Sequence, residues 1–190
     1  REAYYHFIKN NFGKYDWVAF FDVDEFLVLK RHNRIQEFIS DYSDFQAIGI
    51  NWVLFGNNGL SNVGEEDSVL KRFTKRQSVI NHHIKSIVKL TKDLVMDVHN
   101  PFNKTVCDTN KKVFAGPFNK RGDDNVAQLN HYFCKTEEEF KEKCDRGRAD
   151  TPLIQHRRTM KDFDDHNFNE VEDLTAYNFM YNDNNNLFNT

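Results

Sequence analysis

Trp17-Val18-Ala19-Phe20-Phe21-Asp22-Val23-Asp24-Glu25-Phe26-Leu27 sets an uninterrupted apolar run directly against three carboxylates. The run at 17 to 21 has strand length and no polar alternation, the pattern of a strand covered on both faces in a parallel sheet. Ligands of open α/β sheets bind outside the carboxyl ends of the strands, so Asp22, Asp24 and Glu25 stand where a site is expected. In extended chain Asp22 and Asp24 point to the same side, and two hard oxygen ligands so placed suit one divalent cation, Mn²⁺ or Mg²⁺. A cation held there could bridge to a diphosphate and stabilise charge on a leaving group. An Asp-x-Asp pair in an aspartate-rich chain is also what a solvated turn looks like. The apolar run favours a ligand, because uncompensated carboxylates against a core strand are costly unless a cation or hydrogen-bond donors offset them.

Upstream of this segment, Tyr4, Phe7 and Ile8 recur at helical spacing over residues 2 to 12, and Gly13 stands where a left-handed C-cap belongs. A helix running by a short loop into a central parallel strand is the second half of a βαβ crossover. The crossover's first strand is therefore expected before Arg1, inside a larger, N-terminally incomplete fold. Downstream, Asn33 with Gln36 reads as a capping pair ahead of the stripe Ile35, Phe38, Ile39 and Tyr42. Residues 47 to 55 read as a second apolar strand, ended by the turn Gly56-Asn57-Asn58-Gly59 and followed by the acidic loop 64 to 67. Short strands are expected over 69 to 90, clearest at 84 to 89, whereas 93 to 125 is turn-rich. A strand at 126 to 133 precedes the capping box Thr136-Glu137-Glu138-Glu139, whose helix should end near Gly147. Residues 1 to 181 read as one domain and 182 to 190 as a disordered, frayed tail.

Composition narrows the function classes. The 190 residues suit one domain, and 39% hydrophobic residues with 18 phenylalanines supply a core, which excludes disorder as the main state. A formal net charge of −3 offers no general attraction to a phosphate polymer, so nucleic acid is not an expected partner. No apolar run approaches the roughly 20 residues that span a bilayer. Cys107, Cys134 and Cys144 form no CxxC pair, so neither a disulfide framework nor a cysteine zinc site is indicated. A reducing compartment fits, hence a cytoplasmic location or one peripheral to a membrane. Asn103-Lys104-Thr105 is a lone glycosylation sequon of a kind that arises by chance in an Asn-rich chain.

The segment from Trp17 to Phe26 resembles the W-x-x-hydrophobic-DxDEF stretch of GT-A-fold glycosyltransferases, especially family-92-type and family-2-like enzymes. Further likenesses follow in order. Trp52-Val53-Leu54-Phe55-Gly56 with Gly59 resembles the family's Trp-x-x-Phe-Gly segment, and Lys85-Ser86-Ile87-Val88-Lys89 its basic strand. Asn130-His131-Tyr132, Lys135-Thr136, Glu139-Phe140, Lys143 and Arg146-Gly147 resemble its closing run. This ordered set spans roughly residues 1 to 150.

The resemblance implies a GT-A-like α/β fold, a mixed sheet flanked by helices. It implies transfer of a sugar from a nucleotide-diphosphate donor to a glycan acceptor hydroxyl, assisted by Mn²⁺ or Mg²⁺. Asp22 and Asp24 would hold the cation, with His131 at the place of a late histidine ligand; on its own, a histidine among Ala127, Leu129 and Phe133 also reads as a packed strand residue. Asp22, Lys85, Lys135 and Arg146 are the donor-binding candidates, since diphosphate oxygens need cationic partners as charge develops. Trp52 and His99 are candidates for the acceptor side, Trp52 as a platform for a sugar ring or simply as core. Glu25, Glu65, Asp97 and Asp123 are all of the right type for a general base, and reach decides among them.

Two other readings compete. Haloacid-dehalogenase-like phosphatases also open on an apolar strand and Asp-x-Asp, and Gly122-Asp123-Asp124 could pass for their late acidic motif. They expect a small hydroxylic residue where this chain has Phe26. A glycan-binding module that keeps the fold without turnover is the third reading.

Overall fold

A computed structural model describes residues 1–66, 68–147 and 157–181. The tail expected at 182 to 190 lies outside the described residues. The chain divides into two compact units, the first formed by Arg1–Val53 and Ile80–Asn130, the second by Leu54–Val79 and His131–Thr190.

The first unit is built on a mixed sheet. Its strands are β1 (Trp17–Ala19), β2 (Glu25–Leu29), β3 (Ala47–Leu54), β5 (Ile84–Lys89), β6 (Val106–Cys107), β7 (Val113–Phe114) and β8 (Ala127–His131). The main path runs β1-β5-β3-β6-β7, with β8 pairing both β2 and β3. The β3–β6 pair is parallel, whereas β1–β5, β3–β5 and β6–β7 are antiparallel. β3 is the central strand, and its nearly unbroken burial explains why its sequence lacks alternation. Gly49 belongs there because the Phe114 ring lies 2.6 Å from where a Cβ would stand.

Helix α2 (Ile35–Ser40) covers one face. Phe38 and, just past its end, Tyr42 pack with Ile48, Ile50, Ile87 and Leu129. The Tyr42 hydroxyl donates to the Thr109 carbonyl at 2.7 Å, so the buried ring leaves no polar group stranded. Helix α1 (Glu2–Asn11) serves the second cluster, where Ile8 joins Val18, Ala47, Val88 and Val106. Tyr4 stacks on Phe20 with centroids 4.2 Å apart.

Three expectations change. The apolar run at 17 to 21 yields only three strand residues, at the end of the strand path and antiparallel to β5; Ala19 is exposed, so the run is not a strand covered on both faces in a parallel sheet. Its hydrophobicity is used instead by Phe20 and Phe21, which pack outside the strand. At α2, Glu37 rather than Gln36 accepts from the backbone of Asn33 and Arg34. Residues 69 to 76 carry a short helix, α3 (Val69–Arg72), before β4 (Lys75–Arg76), where only strands were expected.

In the second unit β4 pairs antiparallel with β9 (Val171–Glu172). The helix α4 (Glu137–Arg146) starts at the expected Thr136 box, whose side chain accepts from Glu139 N, and ends at Gly147 with φ 78°. Phe140 of α4, Phe163 of α5 (Met160–His166) and Cys134 form a small core. The last helix is α6 (Thr175–Tyr181). Gly56 is required by close approach: a Cβ there would stand 2.3 Å from the Phe168 carbonyl oxygen. Residues 167 to 169 bind this turn, with Asn167 and Asn169 accepting from the backbone of Asn57 and Asn58.

Candidate active site

Asp22, Val23 and Asp24 do not continue a strand. They form a turn between β1 and β2, closed by Glu25 N donating to the Asp22 carbonyl at 3.0 Å. The turn points Val23 into solvent at 96% exposure, an unusual place for valine and a mark of how far this loop protrudes. The expected extended geometry of Asp22 and Asp24 is replaced by this turn, which keeps both carboxylates in a three-residue loop.

The turn is fastened from beneath. The Glu25 side chain is wholly buried, and its Oε2 accepts from Asp22 N at 2.8 Å. From β5 rises Lys85, 1% exposed along its side chain, with Nζ 3.0 Å from Asp22 Oδ2 and 3.6 Å from Glu25 Oε2. A buried ammonium needs such partners, because desolvation otherwise disfavours the charge. Burial pushes the Glu25 carboxyl up to about 7, against the pull of Lys85 and the Asp22 backbone N–H; the charges of Asp22 and Asp24 add to the rise. Glu25 Oε1 is buried without a hydrogen-bond partner among the described residues. Perturbed carboxyls of this kind cluster at functional sites.

A second group adjoins the same strand. Trp52 stacks on His83 with centroids 5.0 Å apart and meets His99 edge-on at 5.2 Å. Phe118, 51% exposed, packs edge-on against His83 at 4.6 Å. The buried Asn51 amide sets this group in place by donating to the carbonyls of Asn81 and Asn119, which tie the loops bearing His83 and Phe118 to β3. Gly122 lets Asn51 do so, since a Cβ would fall 1.9 Å from Asn51 Oδ1. His99 is held at both ends to β5: its Nδ1 donates to the Ile84 carbonyl at 3.0 Å, and its own carbonyl accepts from Ser86 Oγ at 3.0 Å. Burial holds the imidazole below its usual value, opposed by the Ile84 bond, and Lys85 and Asp22 are both near enough to act on it.

The structure thus brings together Asp22, Glu25 and Lys85, with Asp24 in the same turn, and joins Trp52 to His99. It places His131, Lys135 and Arg146 in the second unit. His131 is buried with its ring edge-on to Phe133, Lys135 has a φ of 53°, and Arg146 is exposed in the last turn of α4. Among the described residues no three His, Cys, Asp or Glu side chains gather as a metal site. Of the late acidic pair, Asp123 accepts from Asn110 and Asn125 while Asp124 pairs with Lys30, so both are engaged in fastening their loop to its neighbours. His83, Phe118 and the turn-fastening role of Glu25 were not foreseen. The available signal was the polar pair His82-His83 immediately before an apolar strand.

The comparisons with known proteins agree with a transferase. The family model of glycosyltransferase family 92 matches residues 8–165, which include the acidic turn, Trp52, Lys85 and His99, and the chain belongs to that family. No curated protein matches it. No described helix is long and apolar enough to cross a membrane.

Proposed function

We propose that this glycosyltransferase moves a sugar from a nucleotide-diphosphate donor to a glycan acceptor hydroxyl on a GT-A-type scaffold, with Asp22 and Asp24 as protein ligands of a divalent cation. The observation that carries this reading is the acidic turn itself. Two aspartates share one turn at a strand end while a buried lysine and glutamate fix it through Asp22. The donor set fits Mn²⁺ or Mg²⁺: hard oxygens from few protein ligands leave room for water and substrate phosphates. Bound there, the cation supplies positive charge against the negative charge that grows on the leaving diphosphate.

The chain's own residues do the rest. Lys85 acts on the donor through Asp22, holding the carboxylate by Oδ2 so that it is already positioned when the donor arrives. Trp52 and His99 form the acceptor side, with His83 covering one face of the indole so that the imidazoles and Phe118 present the accessible ring surface. Rings of this kind suit the C–H faces of a sugar.

Release of nucleoside diphosphate from a panel of nucleotide sugars, measured with and without Mn²⁺, tests the reading. Asp22→Asn and Asp24→Asn should each lower turnover by roughly a thousandfold, the scale of several kcal/mol of charge stabilisation. Full turnover in chelator would contradict it, and unchanged glycan binding with no turnover in the wild type would favour a binding module.

A further inference from the structure

We propose that His99 is the general base of the transfer, taking the proton of the acceptor hydroxyl on Nε2; this rests on the transferase reading above. The tautomer carries the inference. A carbonyl oxygen can only accept, so the 3.0 Å contact with Ile84 O places the ring proton on Nδ1 and leaves the acceptor lone pair on Nε2. No described residue donates to Nε2. A backbone tether on one nitrogen and a bare acceptor on the other is the arrangement a base requires.

Position supports the chemistry. His99 is bonded to Ile84 and Ser86, the two residues flanking Lys85, whose ammonium holds Asp22. The groups facing the imidazole are Lys85, Asp22 and Asp97, with the His83 ring 5.6 Å away and the Trp52 ring beside it. Burial, its largest influence, keeps the ring neutral at neutral pH. Of the carboxylates of the right type, Asp97 pairs with Arg1 at 2.7 Å, Asp123 accepts from Asn110 and Asn125, and Glu25 Oε2 serves the acidic turn, while Glu65 belongs to the second unit.

The step balances as a single displacement. Nε2 removes the acceptor proton as that oxygen bonds to the anomeric carbon of the donor sugar. The bond from this carbon to the diphosphate oxygen breaks, its electron pair leaves with the nucleoside diphosphate, and the imidazolium returns its proton to solvent. The anomeric centre is inverted.

Two measurements on the full chain decide it. In ¹⁵N-resolved NMR at neutral pH, His99 should show a protonated Nδ1 and a bare Nε2; an Nε2–H tautomer would overturn the assignment without reference to turnover. In kinetics, His99→Asn keeps a side-chain amide able to donate to Ile84 O but has nothing at Nε2. Its kcat should fall by about 10²- to 10⁴-fold, the usual contribution of a general base, with donor affinity unchanged. The wild-type acid limb, falling below pH 6.5, should disappear with it. His99→Gln, which lacks the tether, controls for folding through its melting temperature. A His99→Asn variant that keeps its rate, or a product of retained anomeric configuration, overturns the base role while leaving the transferase reading intact. A wild type that neither binds nor turns over any nucleotide sugar sinks the transferase reading first and the base with it.

Discussion

Two carboxyls, a part-buried one in the second unit and a buried one in the first, meet opposite fates. Glu139 in the second unit spends both oxygens: Oε1 accepts from Arg72, and Oε2 from Arg72, Thr136 N and Thr136 Oγ1, at 2.8 to 3.1 Å. Burial would raise its pKa, but these donors outweigh burial and hold the carboxyl below its usual value. Glu25 in the first unit has a lysine and one backbone N–H on Oε2 and, among the described residues, no hydrogen-bond partner on Oε1; burial raises its pKa to about 7. The carboxyl in the capping box at the start of α4 is saturated by its surroundings; the one that supports the acidic turn shares its cation with Asp22. Between these two glutamates the residue type is the same and the supply of donors differs.

The largest effect expected from this contrast is at Lys85. Lys85→Met removes the ammonium paired with both Asp22 and Glu25 and leaves Glu25 buried without it, a change that should cost about 3–5 kcal/mol in denaturant unfolding. The companion Glu25→Gln/Lys85→Met should recover much of that loss, since an uncharged pair needs no counter-ion; no recovery would mean the cluster is not the cause. Arg72→Met should cost less, because Glu139 keeps the two Thr136 donors and remains 20% exposed along its side chain. A loss as large as that of Lys85→Met would erase the distinction between the pairs.

The same contrast has a pH signature. Glu139 has a folded pKa below its ordinary 4.5, so its contribution is fully present above pH 4.5 and is lost as pH falls through the folded value. The stability gap between wild type and Glu139→Gln should therefore close as pH drops below about 4.5 in urea titrations, and a gap that widens there would reverse the sign. The smallest effect is at the cap: Thr136→Ala removes one acceptor for the Glu139 amide and should cost about 1 kcal/mol.

Much of this was legible beforehand. The Thr136 box and Gly147 bounded α4 because both ends carry local chemistry that sequence displays. β3 was legible because a central strand buried on both sides has no polar alternation to obscure it. The run at 17 to 21 misled for the converse reason. Its apolar residues fill two clusters through Phe20 and Phe21 after the strand has ended, so hydrophobicity there reports packing of a loop rather than membership of a buried strand. At the candidate site Asp22, Asp24, Lys85, Trp52 and His99 could be singled out by type. That Lys85 grips Asp22 from 63 positions away, or that His83 shields the indole, depends on the antiparallel register of β5 with β1 and β3, which no local pattern encodes.

Manganese titration of the wild-type chain followed by electron paramagnetic resonance, in the presence of a nucleotide-sugar donor, tests the role of the acidic turn most directly. Saturable binding that disappears in both Asp22→Asn and Asp24→Asn, with each variant still unfolding cooperatively, is the expected result. Manganese bound with equal affinity by wild type and by the variant carrying both substitutions would contradict it.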